Sequence, residues 1–167
     1  MRVVAGSVHC LACAAHAKNP KEPVILYGQS WGGAAALITA ADLDSKGIRV
    51  DLLITFDAVG KHNDTGRDKL LVPGNVAVAI NYYQTGATQL GNNRLVAASE
   101  FADTDIFNID VGDVKHTDVG DMMGTAAASL IQSVALQGLV ERLHEIGAWM
   151  FSDTFGTQIQ VTRPGRP

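Results

Sequence analysis

Residues 24–37 read VILYGQSWGGAAAL, and the role of Ser30 in this stretch decides how the remainder of the chain is read. Gly28-Gln29-Ser30-Trp31-Gly32 fits the pattern G-x-S-x-G, which is short enough to arise by chance, so its flanks must decide. An apolar run, VILY, precedes it, and an alanine-rich run, GGAAALITAADL, follows it. The expected local structure is strand, sharp turn, helix. A nucleophilic serine needs this context, because a strained turn lifts the hydroxyl clear of the strand end. Close approach of strand and helix leaves room only for small side chains, and Gly28, Gly32, Gly33 and the alanines at 34, 35 and 36 supply them. A glycine corner that serves packing alone is the competing reading.

The bulk properties set the frame. The chain has 167 residues, 47% of them hydrophobic and 18% charged, enough for one domain with a real core. The whole of 1–167 is read as a single α/β domain, with a loose tail at 159–167. A net charge of −4 without any Lys/Arg cluster points away from nucleic acid. No apolar run approaches the roughly 18 residues of a membrane span. The start, MRVVAGSVHCLACAAHA, loosely imitates a secretory signal, with Ala15-His16-Ala17 at its end. His9 interrupts the apolar middle, which favours an ordinary helix and a cytoplasmic protein; secretion or a periplasmic location follows only if residues 1–17 act as a signal.

Apolar runs at 24–27, 52–56, 76–83 and 105–111 read as strands. Most are continuous rather than alternating, as expected for strands covered on both faces of a mostly parallel sheet. Helices are predicted over 5–18, 31–46 and 125–148, the last carrying Leu136, Leu139, Val140, Leu143 and Ile146 at helical spacing. Strands alternating with helices specify an α/β fold with a mostly parallel sheet flanked by helices. The stretches 60–74 and 84–104 read as long surface loops, which in compact domains are often functional.

A serine needs a base, and the base an orienting carboxylate. In a strand–elbow–helix setting the expected chain order is Ser, then Asp or Glu, then His. LLITFDAVG places Asp57 at the carboxyl tip of the second strand, and IDVGDVKHTDVG delivers His116 just beyond the fourth. Open α/β sheets carry their chemistry at the carboxyl ends of the strands, so Ser30, Asp57 and His116 converge on one edge. His62 would break the order, and His144 falls within a helix. Asp113 and Asp118 flank His116 closely in sequence, while Asp103 and Asp105 lie at the wrong end of the fourth strand. For Asp57 the alternative is a turn or capping aspartate.

These residues resemble the α/β-hydrolase superfamily, particularly its lipase- and esterase-like members. GQSWGG is close to the frequent GHSxGG elbow with Gln29 in place of histidine; ITFDAVG and KHTDVGDM match the acid and histidine segments by position, over roughly residues 20–150. The resemblance implies a partial or minimal α/β-hydrolase fold and a serine hydrolase of carboxylic esters or thioesters acting through an acyl-enzyme. It makes Ser30 the nucleophile, His116 the general acid/base and Asp57 its partner, with one oxyanion donor from the Trp31 N–H among the elbow residues Gly28, Gln29, Trp31 and Gly32. No metal or organic cofactor is implied. The chain departs from the family in having only 23 residues before Val24, too few for the strands that normally precede the elbow. The expectation is therefore either a truncated sequence or a minimal protein whose exposed sheet edge self-associates. A catalytically incomplete fragment or binding module is the rival function.

HCLACAAH sets Cys10 and Cys13 in C-x-x-C spacing, with His9, Cys13 and His16 on one helix face. Zinc or redox chemistry lacks a second ligand pair and a preceding strand, so packing of a small apolar helix is the simpler reading. Trp31 is either a wall of the acyl pocket or a core anchor. Tyr82, Tyr83 and Trp149 read as core.

Overall fold

The computed structural model describes residues 8–18, 20, 22–60, 70–86, 91, 93–100, 102–137 and 159–162. In chain order the elements are α1 (Val8–Lys18), β1 (Ile25–Gln29), α2 (Trp31–Asp44), β2 (Val50–Phe56), β3 (Leu70–Val72), β4 (Val76–Tyr83), β5 (Leu95–Ala97), β6 (Asp105–Asp110), α3 (Val119–Gln137) and β7 (Ile159–Thr162). The main sheet runs β1-β2-β4-β6-β7. Its first four strands are parallel, with Tyr27 beside Ile54, Ile54 beside Ile80 and Ile80 beside Phe107. This is the α/β class expected from the sequence. Among the described residues β1 is the first strand in the sheet order, paired with β2.

Side chains of a strand alternate between faces, and both faces of this sheet are covered. Leu52, Ile54, Phe56, Val78, Ile80, Tyr82, Phe107 and Ile109 pack under α3 through Val119, Met123, Ala127, Leu130 and Val134. On the opposite face Leu26, Leu53, Ala79 and Ile106 meet Ala36, Leu37, Ala40 and Leu43 of α2, together with Leu70, Val72 and Leu95. Each fully buried Leu, Ile or Val contributes about 1.5–3 kcal/mol, so the two layers hold the strand order firmly.

Several boundaries differ from the sequence reading. β3 and β5 pair in parallel as a separate two-stranded sheet inside the stretches read as loops, with Leu71 beside Val96. Three residues each are too few to show a period. α3 begins at Val119 rather than at 125, because Val119 and Met123 are buried against the sheet despite two glycines in that first stretch. Its expected apolar face at 136–146 lies outside the described side chains. The tail is loose on the sequence reading, yet 159–162 pairs antiparallel with β6, a strand that β-branched Ile159, Val161 and Thr162 favour; residues 163–167 lie outside the described set, as does Trp149. In α1, Ala12 and Cys13 pack against the α2-side core, and Cys13 is a free thiol. His9 and Cys10 side chains are outside the description. Among the described residues no helix is long and apolar enough to cross a membrane.

Tyr82 lies fully buried in the α3-side core, its ring stacked on Phe56 at 5.6 Å between centroids. Burial pushes its phenol well above the ordinary value of 10.0. The folded chain therefore keeps this proton where the unfolded chain loses it. The resulting stability is fully present below about pH 10 and declines as pH rises further. Urea unfolding at about pH 8 and about pH 11 is expected to show a smaller alkaline loss for Tyr82→Phe than for the parent chain.

Candidate active site

The site is assembled where β1, β2 and β6 end. β1 presents Leu26 and Gly28 toward α2, and α2 turns back so closely that a Cβ on residue 28 would overlap the backbone of Gly32. One turn on, a Cβ at Gly33 would lie 2.7 Å from the Ala58 Cβ. Only glycine fits at these two places. Between them the chain reverses through Ser30, at φ 55 and ψ −124. A non-glycine residue held there stores about 1–3 kcal/mol of strain. Serine at a helix N-terminus ordinarily caps the first turn with its hydroxyl, yet Ser30 makes no such side-chain bond. Its Oγ instead lies 2.8 Å from His116 Nε2.

Backbone bonds fix the neighbouring strand ends against this turn. Ser30 N–H donates to the Phe56 carbonyl at 2.9 Å, Val59 N–H to the Ser30 carbonyl at 3.1 Å, and Asp57 N–H to the Tyr82 carbonyl at 2.6 Å. Asp57 follows β2 with a positive φ of 45, the only other described non-glycine residue in that region. Its side chain is fully buried, and Oδ2 sits 2.7 Å from His116 Nδ1. A buried carboxylate requires such a partner, because an isolated charge in the interior is strongly disfavoured. His116 is carried by the loop between β6 and α3, with its side chain 16% exposed. Both ring nitrogens are thus engaged, one by the acid and one by the serine. With Nδ1–H donated to Asp57, Nε2 is an acceptor able to withdraw the Ser30 proton.

A buried polar ladder, which the sequence reading did not single out, holds the wall behind Asp57. Thr55, Asn81 and Asn108 are neighbours in register on β2, β4 and β6. Thr55 Oγ1 donates to Asn81 Oδ1 at 2.8 Å, and Asn81 Nδ2 to Asn108 Oδ1 at 3.0 Å and to the Asn93 carbonyl at 2.8 Å. Asn108 exchanges two bonds with the Leu95 backbone, and Asn93 Nδ2 reaches the Ala58 carbonyl at 3.0 Å. This stitching binds segment 93–95 to the sheet and places Gly91, at φ 86, against the Asp57 carboxylate with no room for a Cβ. The trace in the sequence is a polar residue, Thr55, Asn81 or Asn108, set among apolar neighbours in the carboxyl half of each of three strands.

Of the expected residues, Ser30, Asp57 and His116 come together, and Gly28, Gln29, Trp31 and Gly32 surround the turn. Trp31 is 55% exposed, so it is not a core anchor. Asp113 lies against Gly86, and Asp118 accepts the Thr117 hydroxyl at 2.8 Å; neither meets His116 Nδ1. His62 and His144 lie outside the described residues. Among the described residues, no group of three or more His, Cys, Asp or Glu side chains could hold a metal ion. A cavity of about 510 Å³ follows the β1 edge between α2 and α3, touching Gly28, Gln29, Gly32 and Gly124; none of the three polar partners lines it. Comparisons with family models, with curated proteins and with solved structures gave no match.

Two substitutions probe this geometry. Ser30→Gly relieves the positive φ and is expected to raise unfolding free energy by about 1 kcal/mol, measured by urea denaturation. A loss of stability would contradict strain at the turn. Gly91→Ala drives a methyl group into the Asp57 carboxylate and is expected to lower stability by about 1–3 kcal/mol in the same measurement.

Proposed function

We propose that this chain is a serine hydrolase of carboxylic esters or thioesters that works through an acyl-enzyme, a member of the α/β-hydrolase type its elbow resembles. The observation that carries the reading is the unbroken chain Ser30 Oγ, His116 Nε2, His116 Nδ1, Asp57 Oδ2, with contacts of 2.8 and 2.7 Å at a strained turn. Packing alone does not demand a serine whose hydroxyl is withheld from capping its own helix.

In this reading Ser30 Oγ attacks the substrate carbonyl while His116 Nε2 takes its proton. The tetrahedral oxyanion is met by the Trp31 N–H, one of the first-turn donors that a helix cannot satisfy internally. Return of the proton from His116 to the leaving alcohol or thiol frees the acyl-enzyme. Water, deprotonated by the same imidazole, then releases the acid and restores Ser30. Asp57 accepts the Nδ1–H throughout, fixing the tautomer and stabilising the imidazolium as it forms. The exposed Trp31 indole offers an apolar wall to the acyl or alcohol group.

A second reading is a module that keeps the elbow but binds without turnover; it is favoured by the cavity beside β1, which none of Ser30, Asp57 and His116 lines. Labelling by a fluorophosphonate probe separates the two, because it reports an activated serine without a chosen substrate. The parent chain is expected to label, and Ser30→Ala to abolish the signal. His116→Ala and Asp57→Asn should each slow labelling by about 10³–10⁴-fold. A folded parent chain that does not label would reject the hydrolase reading.

A further inference from the structure

We propose that Gln29 is a positioning residue that aims His116 by holding its backbone, an inference that rests on the hydrolase reading. Alternation along β1 sends Ile25 toward the α3-side core, and Gln29, four residues on, to the same face. Gln29 is exposed, so apolar burial does not account for its placement. Its Nε2 donates to the His116 carbonyl at 3.2 Å and to the Thr117 carbonyl at 3.1 Å, across more than eighty residues of sequence. Both protons of the amide are used on the loop that carries the base. The start of α3 closes over the same amide, since a Cβ on Gly120 would come within 2.5 Å of Gln29 Oε1.

The need for such a tether follows from the chemistry. The imidazole has two side-chain partners, but its bond to Ser30 cannot survive acylation, when Oγ becomes an ester oxygen without a proton. His116 must then activate water while held in the ring plane by Asp57 alone. The Gln29 bonds involve main-chain carbonyls that take no part in proton transfer, so they persist through both half-reactions. Gln29 adjoins Ser30 in sequence. The nucleophile and the anchor of its base therefore move as one unit, which suits a reaction sensitive to displacements of an ångström.

The test compares the parent chain with Gln29→Met, which keeps length but removes both donors, and Gln29→Glu, which turns a carboxylate toward two carbonyl oxygens. Carbonyl ¹³C resonances of His116 and Thr117 report the bonds themselves, and fluorophosphonate labelling across pH reports the base. Gln29→Met is expected to shift both resonances and to slow labelling about tenfold. Gln29→Glu should slow it further and move the inflection of the pH–rate profile upward, because a nearby anion favours the imidazolium. Unchanged resonances overturn the tether. So do parent-like labelling rates, or slowed labelling with the inflection of Gln29→Glu unmoved, which would mark general loosening. A parent chain that fails to label rejects the hydrolase reading, while the resonances still decide whether Gln29 holds the loop.

Discussion

Between Gly28 and the backbone of Gly32 there is space for a hydrogen atom and nothing larger. From that close approach the rest of the site follows. It forces the chain to reverse within a single residue, and the reversal places Ser30 at a positive φ that serine disfavours. In that conformation the hydroxyl turns from the helix it would otherwise cap and points along the sheet edge. A larger residue at position 28 would separate strand from helix, and the turn would lose its strain and its aim together.

The parallel sheet turns this one turn into a constellation. Because β1 and β2 are adjacent and run the same way, the end of β2 delivers Asp57 beside the elbow. Because β6 runs parallel as well, its exit loop returns His116 to the same edge. Burial then sharpens the arrangement. A fully buried carboxylate tolerates few positions for its partner, and the polar ladder of Thr55, Asn81 and Asn108 ties together the three strands whose ends carry or flank it. The positive φ of Asp57 is a second local strain, tolerable for aspartate because its short side chain accommodates left-handed backbone.

The sequence disclosed the elbow, the four parallel strands and the residues now found in mutual contact, since each rests on a local signal: glycine spacing, apolar runs, position at a strand end. What it concealed is non-local. β3 and β5 are too short to show a period, and the first turns of α3 carry Gly120 and Gly124, which weaken the helical pattern that burial of Val119 and Met123 restores. Trp31 could be placed inside or outside equally well by type, and only the path of α2 exposes it. The part played by Gln29 depends on a loop more than eighty residues away, which no periodicity announces. The ladder left a trace, Thr55, Asn81 and Asn108 set among apolar neighbours in three strands, but its meaning required the register.

The most direct test of the central claim is the mass of the intact chain, acid-quenched during the first turnovers of p-nitrophenyl acetate. The account predicts a gain of one acetyl group, located on the peptide that carries Ser30 and absent from Ser30→Ala. Release of p-nitrophenol with no acetylated chain, or with the acetyl group on another residue, would contradict it.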